Sequence, residues 1–157
     1  MHDLDVTRPQ IGPMTAAAVD KVRHLESEAL KMPQVTLPYD HVLHGGLYAR
    51  TMMLPAGVLI TSAAVKLATT LIVSGDALIY IGTDEPLSVT GYVILPAAAG
   101  RKTAVLARAD TWLTMLVPTA AQTVAEAEAE LTDEADMLAS RRAPEGNHTR
   151  ITGGDEK

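Results

Sequence analysis

The 157 residues carry 13 basic and 19 acidic side chains, a formal net charge of −6 that argues against a surface for nucleic-acid phosphates. There is no cysteine, which excludes disulfides and thiolate metal sites. Phe is absent and aromatics make up 3% of the chain, so small aliphatics must fill the core, which suits a narrow barrel better than a site that stacks on a ring or sugar.

The length fits one domain with extensions, large enough to bury a core without staples. No apolar run is long enough to span a bilayer, and MHDLDVTRPQ lacks the layout of a secretory signal. The expectation is a protein with no membrane partner, not exported through a signal peptide.

Residues 1–13 read as an extended arm. It holds Pro9, Pro13 and the isolated apolar residues Leu4, Val6 and Ile11, which are expected to serve as assembly contacts against a neighbouring subunit. Residues 14–32 read as a helix. Thr15 can cap it, Val19, Val22, Leu25, Ala29 and Leu30 form one stripe, and Pro33 ends it.

Residues 33–118 read as a β-barrel. A lead-in strand at 34–42 is followed by apolar runs at 48–54, 58–65 and 67–73, punctuated by Pro55-Ala56-Gly57 and Ser74-Gly75-Asp76. Further strands are expected at 77–81, 87–95, 102–108 and 111–117, with turn signals at the spacing of an all-β barrel or sandwich. LIVSG and GYVILP do not alternate, so these strands should be covered on both faces, the second by a subunit partner.

Residues 119–142 read as a C-terminal helix with a capping box, either Thr119 with Gln122 or Thr123 with Glu126. Glu126, Glu128, Glu130, Asp133, Glu134 and Asp136 lack calcium-loop spacing and read as a solvated face. Residues 143–157 read as a flexible tail unless a partner holds them.

No nucleophile elbow, zinc-protease helix, phosphate loop or dinucleotide fingerprint occurs. What remains is a weak polar site of Asp40, His41, His44 and Arg50 at the barrel mouth. Three residues apart on a strand, His41 and His44 point to opposite faces, so sharing an ion would need a bend between them.

Pro33-Gln34, His41, Gly46, Tyr48-Ala49-Arg50, Pro55-Ala56-Gly57, Gly75, Gly100-Arg101-Lys102 and Asp110-Thr111-Trp112, in that order, resemble the cupin proteins common in tailed-phage and prophage genomes. The resemblance covers about residues 22–138. It implies a mainly β fold, a cupin-like antiparallel jelly-roll barrel with one N-terminal and one C-terminal helix. It also implies metal-binding histidines at three positions, which this chain fills with Val65, Thr69 and Leu116; the Glu usual after the Tyr-Ala-Arg strand is Thr51. Hydrocarbon and a lone hydroxyl are poor ligands, so no metal and no cofactor are expected.

The resulting expectation is a non-enzymatic structural protein of a phage or prophage particle. It would be a homo-oligomer that decorates or cements a capsid beside other virion proteins, in the virion or the bacterial host cytoplasm. The alternatives are a cupin enzyme of isomerase or dioxygenase type with a displaced metal site, and a small-ligand or sugar-binding module.

Overall fold

A computed structural model describes residues 9–152. Helix α1 (Ala16–Ala29) comes first, with the Thr15 hydroxyl accepting from the Ala18 N–H at 3.1 Å. Its buried residues, Ala18 and Val22, sit on the stripe that faces the sheet.

Seven strands follow: β1 (Tyr39–His44), β2 (Leu47–Leu54), β3 (Leu59–Thr61), β4 (Thr69–Tyr80), β5 (Leu87–Ala97), β6 (Ala104–Ala107) and β7 (Thr111–Pro118). Helices α2 (Val124–Leu131) and α3 (Ala139–Arg142) lead to a last strand, β8 (Asn147–Ile151). The strand order is β3-β6-β4-β7-β2-β1-β8, with β5 on the other side of β4. All pairings are antiparallel except β8 on β1. The sheet curls into a half-barrel, so the fold is mainly β with helices in its N- and C-terminal regions.

The curl is built around β4. One of its edges pairs with β5 throughout, while the other is shared, β7 taking residues 70–74 and β6 taking 77–80. The turn between β6 and β7 fits against Gly75, where a Cβ would come within 2.5 Å of the Thr111 Oγ1 and 2.7 Å of the Asp110 carbonyl oxygen. Thr111 Oγ1 accepts from the Asp76 N–H at 3.0 Å, and Arg108 Nε donates to Asp76 Oδ1 at 2.8 Å.

Ser74-Gly75-Asp76 therefore does not end a strand, as its turn chemistry suggested. The runs at 67–73 and 77–81 belong to one strand, and the glycine serves a close approach. The run at 58–65 shortens to Leu59–Thr61, and the lead-in strand begins only at Tyr39.

The C-terminal region also departs from expectation. The long helix at 119–142 is broken into α2, a 3-10 turn at Ala135–Met137, and α3. Thr123 caps α2, accepting from the Glu126 N–H at 3.2 Å. The tail is strand β8 over part of its length.

Strand alternation gives the sheet two faces. Val73, Ala77, Ile79, Leu95, Val105 and Leu113 lie in the main core, and Leu43, Tyr48, Val65, Val117 and Leu131 in a second cluster. Ile11, expected to await a neighbouring subunit, is buried in this chain's own core. Its N–H donates to the Pro96 carbonyl at 2.9 Å, and its carbonyl accepts from the Ala98 N–H at 2.7 Å. Leu4 and Val6 lie outside the described residues.

Candidate functional site

Inside the curled sheet lies a cavity of about 140 Å³, walled by β1, β2, β4, β6 and β7 and closed by the segment from Leu131 to Arg142. Side chains of alternate strand residues project towards it: Tyr39 from β1, Arg50 and Met52 from β2, Leu71 from β4, Leu113 and Met115 from β7. The wall is mostly hydrocarbon, with a polar network at one end.

That network is a chain of hydrogen bonds with a definite direction. Asn147 Nδ2 donates to the Ser140 carbonyl at 2.8 Å, which turns its Oδ1 towards His41. His41 Nε2 therefore carries the proton and donates to Asn147 Oδ1 at 3.0 Å, leaving Nδ1 to accept from the Tyr48 hydroxyl at 2.7 Å. Arg50 Nη1 donates to the Tyr48 oxygen at 3.4 Å and to Glu128 Oε2 at 3.0 Å, and its guanidinium lies 4.6 Å above the Tyr39 ring. Glu128 accepts further bonds from Ser140 Oγ at 3.1 Å and Arg141 Nε at 3.0 Å.

Burial pushes the Tyr39 and Tyr48 hydroxyls above their ordinary pKa, so both stay neutral. Burial likewise lowers the pKa of His41, keeping its imidazole neutral at pH 7 although Asn147 favours the charged form. Both ring nitrogens are occupied, so His41 works as a structural relay between β1, β2 and β8.

The four residues of the weak polar site are thus divided between two faces. His41 and Arg50 point inward and share Tyr48. Asp40 and His44 point outward, where Asp40 lies 3.3 Å from His148 Nδ1 and the His44 ring bonds the Thr152 hydroxyl at 2.6 Å. Sheet alternation, not a shared site, governs them.

The expected ligand positions are divided as well. Val65 is buried in the second cluster and lines the cavity. Thr69 is buried, its hydroxyl accepting from Arg101 Nη2 at 2.6 Å. Leu116 does not face the interior, because Leu113, Met115 and Val117 take the inward positions of β7. Thr51 also faces outward and bonds the Thr114 hydroxyl at 2.8 Å. Among the described residues, no group of three or more His, Cys, Asp or Glu is placed to hold a metal ion.

Sequence reasoning missed three interior charges. Glu128 reads as part of a solvated face but is 3% exposed, drawn in by Arg50 and Arg141. Lys102 is fully buried; its Nζ donates to Glu26 Oε2 at 2.9 Å and the Ser62 carbonyl at 2.7 Å, tying α1 to the strands. Arg101, beside it, is buried and lines the cavity. No sequence signal marked the two cations: Gly100-Arg101-Lys102 reads as an ordinary polar loop between two apolar strands.

No family model and no curated protein matches this chain. Among solved structures, it is similar to an uncharacterized conserved protein with a double-stranded β-helix domain from Klebsiella pneumoniae, at 16% identity and a TM-score of 0.46, covering 60% of this chain and 83% of that one. It is also similar to a cupin-2 domain containing protein from Shewanella frigidimarina, at 10% identity and a TM-score of 0.39, covering 60% and 91%. Its structure neighbours are cupin and double-stranded β-helix proteins. A salicylate 1,2-dioxygenase from Pseudaminobacter salicylatoxidans shares 15% identity at a TM-score of 0.45, over 74% of this chain and 35% of the enzyme. At these identities the likeness concerns the fold alone, and function has to be argued from this chain's own surfaces.

The outer face of the sheet is the other candidate. Across β5, β4, β7 and β2 it presents three rows in register: Tyr92–Ser74–Trp112–Met53, Ile94–Ile72–Thr114–Thr51 and Pro96–Thr70–Leu116–Ala49. None of these twelve residues is charged. Tyr92 is 67% exposed, Ile94 54% and Trp112 52%. Strand β5 pairs with β4 alone along most of its length, leaving its other edge open among the described residues.

Proposed function

We propose that this chain is a non-enzymatic assembly protein, a jelly roll that associates with copies of itself through the outer face of its sheet. One observation carries the reading: three uncharged rows spanning four strands, with Tyr92, Ile94 and Trp112 exposed on them. At ordinary strand spacing this patch is roughly 15–20 Å on a side. Exposed Tyr92, Ile94 and Trp112, set among uncharged neighbours, suit an interaction surface. A second copy fits these rows, since two chains of net charge −6 repel one another elsewhere and neither presents charge here. The unpaired edge of β5 borders the same patch and supplies backbone donors and acceptors to a neighbour.

The resemblance to phage and prophage cupins supports a virion setting, as a capsid decoration or other accessory protein beside other particle proteins. Inside the barrel, the position expected to supply a first imidazole is Val65, while His41 is committed to Tyr48 and Asn147. This supports a scaffold in preference to an isomerase or dioxygenase.

Native mass spectrometry with elemental analysis of the purified full chain tests the proposal. A discrete homo-oligomer without stoichiometric Fe, Mn, Ni or Zn is expected. A monomer with a bound transition metal and turnover of a small acid or sugar would overturn it.

A further inference from the structure

The cavity carries more positive charge than its own carboxylates balance. Three arginines line it, the buried Arg50 and Arg101 and the exposed Arg142, against the single carboxylate of Glu26. Glu26 is already engaged by Lys102 Nζ at 2.9 Å and the Thr61 hydroxyl at 2.8 Å, and Arg50 is matched by Glu128.

Arg101 has no such partner among the described residues. It is 5% exposed, and its Nη1 donates to the carbonyls of Ala98 at 2.9 Å and Leu67 at 3.4 Å, while Nη2 donates to the Thr69 hydroxyl. All three acceptors are neutral. Burial lowers its pKa to about 10, which still leaves the guanidinium charged at neutral pH. A buried cation held only by neutral dipoles lacks the counter-charge that buried ions ordinarily have.

Most of the remaining wall is hydrocarbon, including Leu71, Val105, Leu113 and Met115, with Tyr39, Thr61, Ser62 and Thr103 beside it. The volume, about 140 Å³, is close to that of an engineered apolar cavity of about 150 Å³ that takes up benzene.

We propose that the cavity binds a small organic monocarboxylate, its carboxylate paired with Arg101 and its hydrocarbon body against Leu71, Val105 and Met115. The guanidinium fork matches a planar carboxylate. Inorganic phosphate fits less well, because much of its charge and several of its oxygens would face hydrocarbon. The site lies inside the barrel, apart from the outer rows, so it stands whether or not the chain self-associates.

Calorimetric titration of the full chain at neutral pH with cyclohexanecarboxylate, cyclohexanecarboxamide and inorganic phosphate tests this. The acid should bind once per chain, the amide about tenfold or more weaker, and phosphate without measurable heat. Arg101→Gln should weaken the acid about tenfold, while Arg108→Gln, at an exposed arginine paired with Asp76, should leave it unchanged. Should Arg101→Gln fail to fold, Met115→Trp fills the cavity from a neutral position and should abolish binding. Equal affinity for acid and amide, no binding of the acid at millimolar concentration, or full affinity in Met115→Trp would each overturn the proposal.

Discussion

Glu128 shows how a single buried charge organises this chain. It accepts from Arg50, Ser140 and Arg141, and so joins β2, α2 and α3. Removing it strands the Arg50 guanidinium in a site about 10% exposed. Glu128→Ala should therefore cost about 3–5 kcal/mol in urea unfolding, whereas replacing both partners with hydrocarbon, as Arg50→Met with Glu128→Leu, should recover most of that loss. His41 gives a pH signature. Its folded pKa lies below the unfolded value, so the unfolded chain takes up the proton first as the solution is acidified. The stability it contributes is complete above about pH 6.5 and is lost as pH falls through the lower folded pKa. Glu128 and Asp40 nearby favour the charged ring and Arg50 opposes it, but burial outweighs them. Melting temperature followed from pH 7.5 to 5 should fall more steeply for the wild type than for His41→Gln.

Among the elements, β4 and the turn beside it are the most exacting. Gly75 has φ +150° and no room for a Cβ against Thr111, so Gly75→Ala should destabilise by about 3 kcal/mol, read from the shift in urea midpoint. The same glycine explains where the sequence misleads. Ser-Gly-Asp is turn chemistry, yet here glycine lets another strand's turn approach, which depends on a partner 35 residues away. Elements governed by local signals were legible: α1 with its Thr15 cap, and the start of α2, where Thr123–Glu126 was one of two capping boxes on offer. The opposite directions of His41 and His44 also followed from strand period alone. Features that need tertiary partners were not legible. Asn147–Ile151 is polar and reads as tail, and becomes a strand only because β1 offers it an edge. That Leu116 turns away from the interior was not legible either, because the parity of β7 is fixed by Leu113 and Val117 in the core.

For the whole molecule, the two faces of one sheet divide the work. The inner face is closed by α2, α3 and the connecting turn; carboxylates match Arg50 and Lys102 but not the buried Arg101. The outer face leaves Tyr92, Ile94 and Trp112 in water on three uncharged rows. Burying such a surface against a copy gains the hydrophobic free energy that a lone chain forgoes, and the open β5 edge adds register. The most direct measurement is sedimentation velocity of the full chain over a concentration series, alongside Trp112→Glu and Tyr92→Asp. The expected result is a self-associated wild type and dissociated variants whose melting temperatures, set by the inner core, fall no further than loss of the association explains. A wild type that sediments as a monomer throughout, or an oligomer that neither charge disturbs, would contradict assembly through this face.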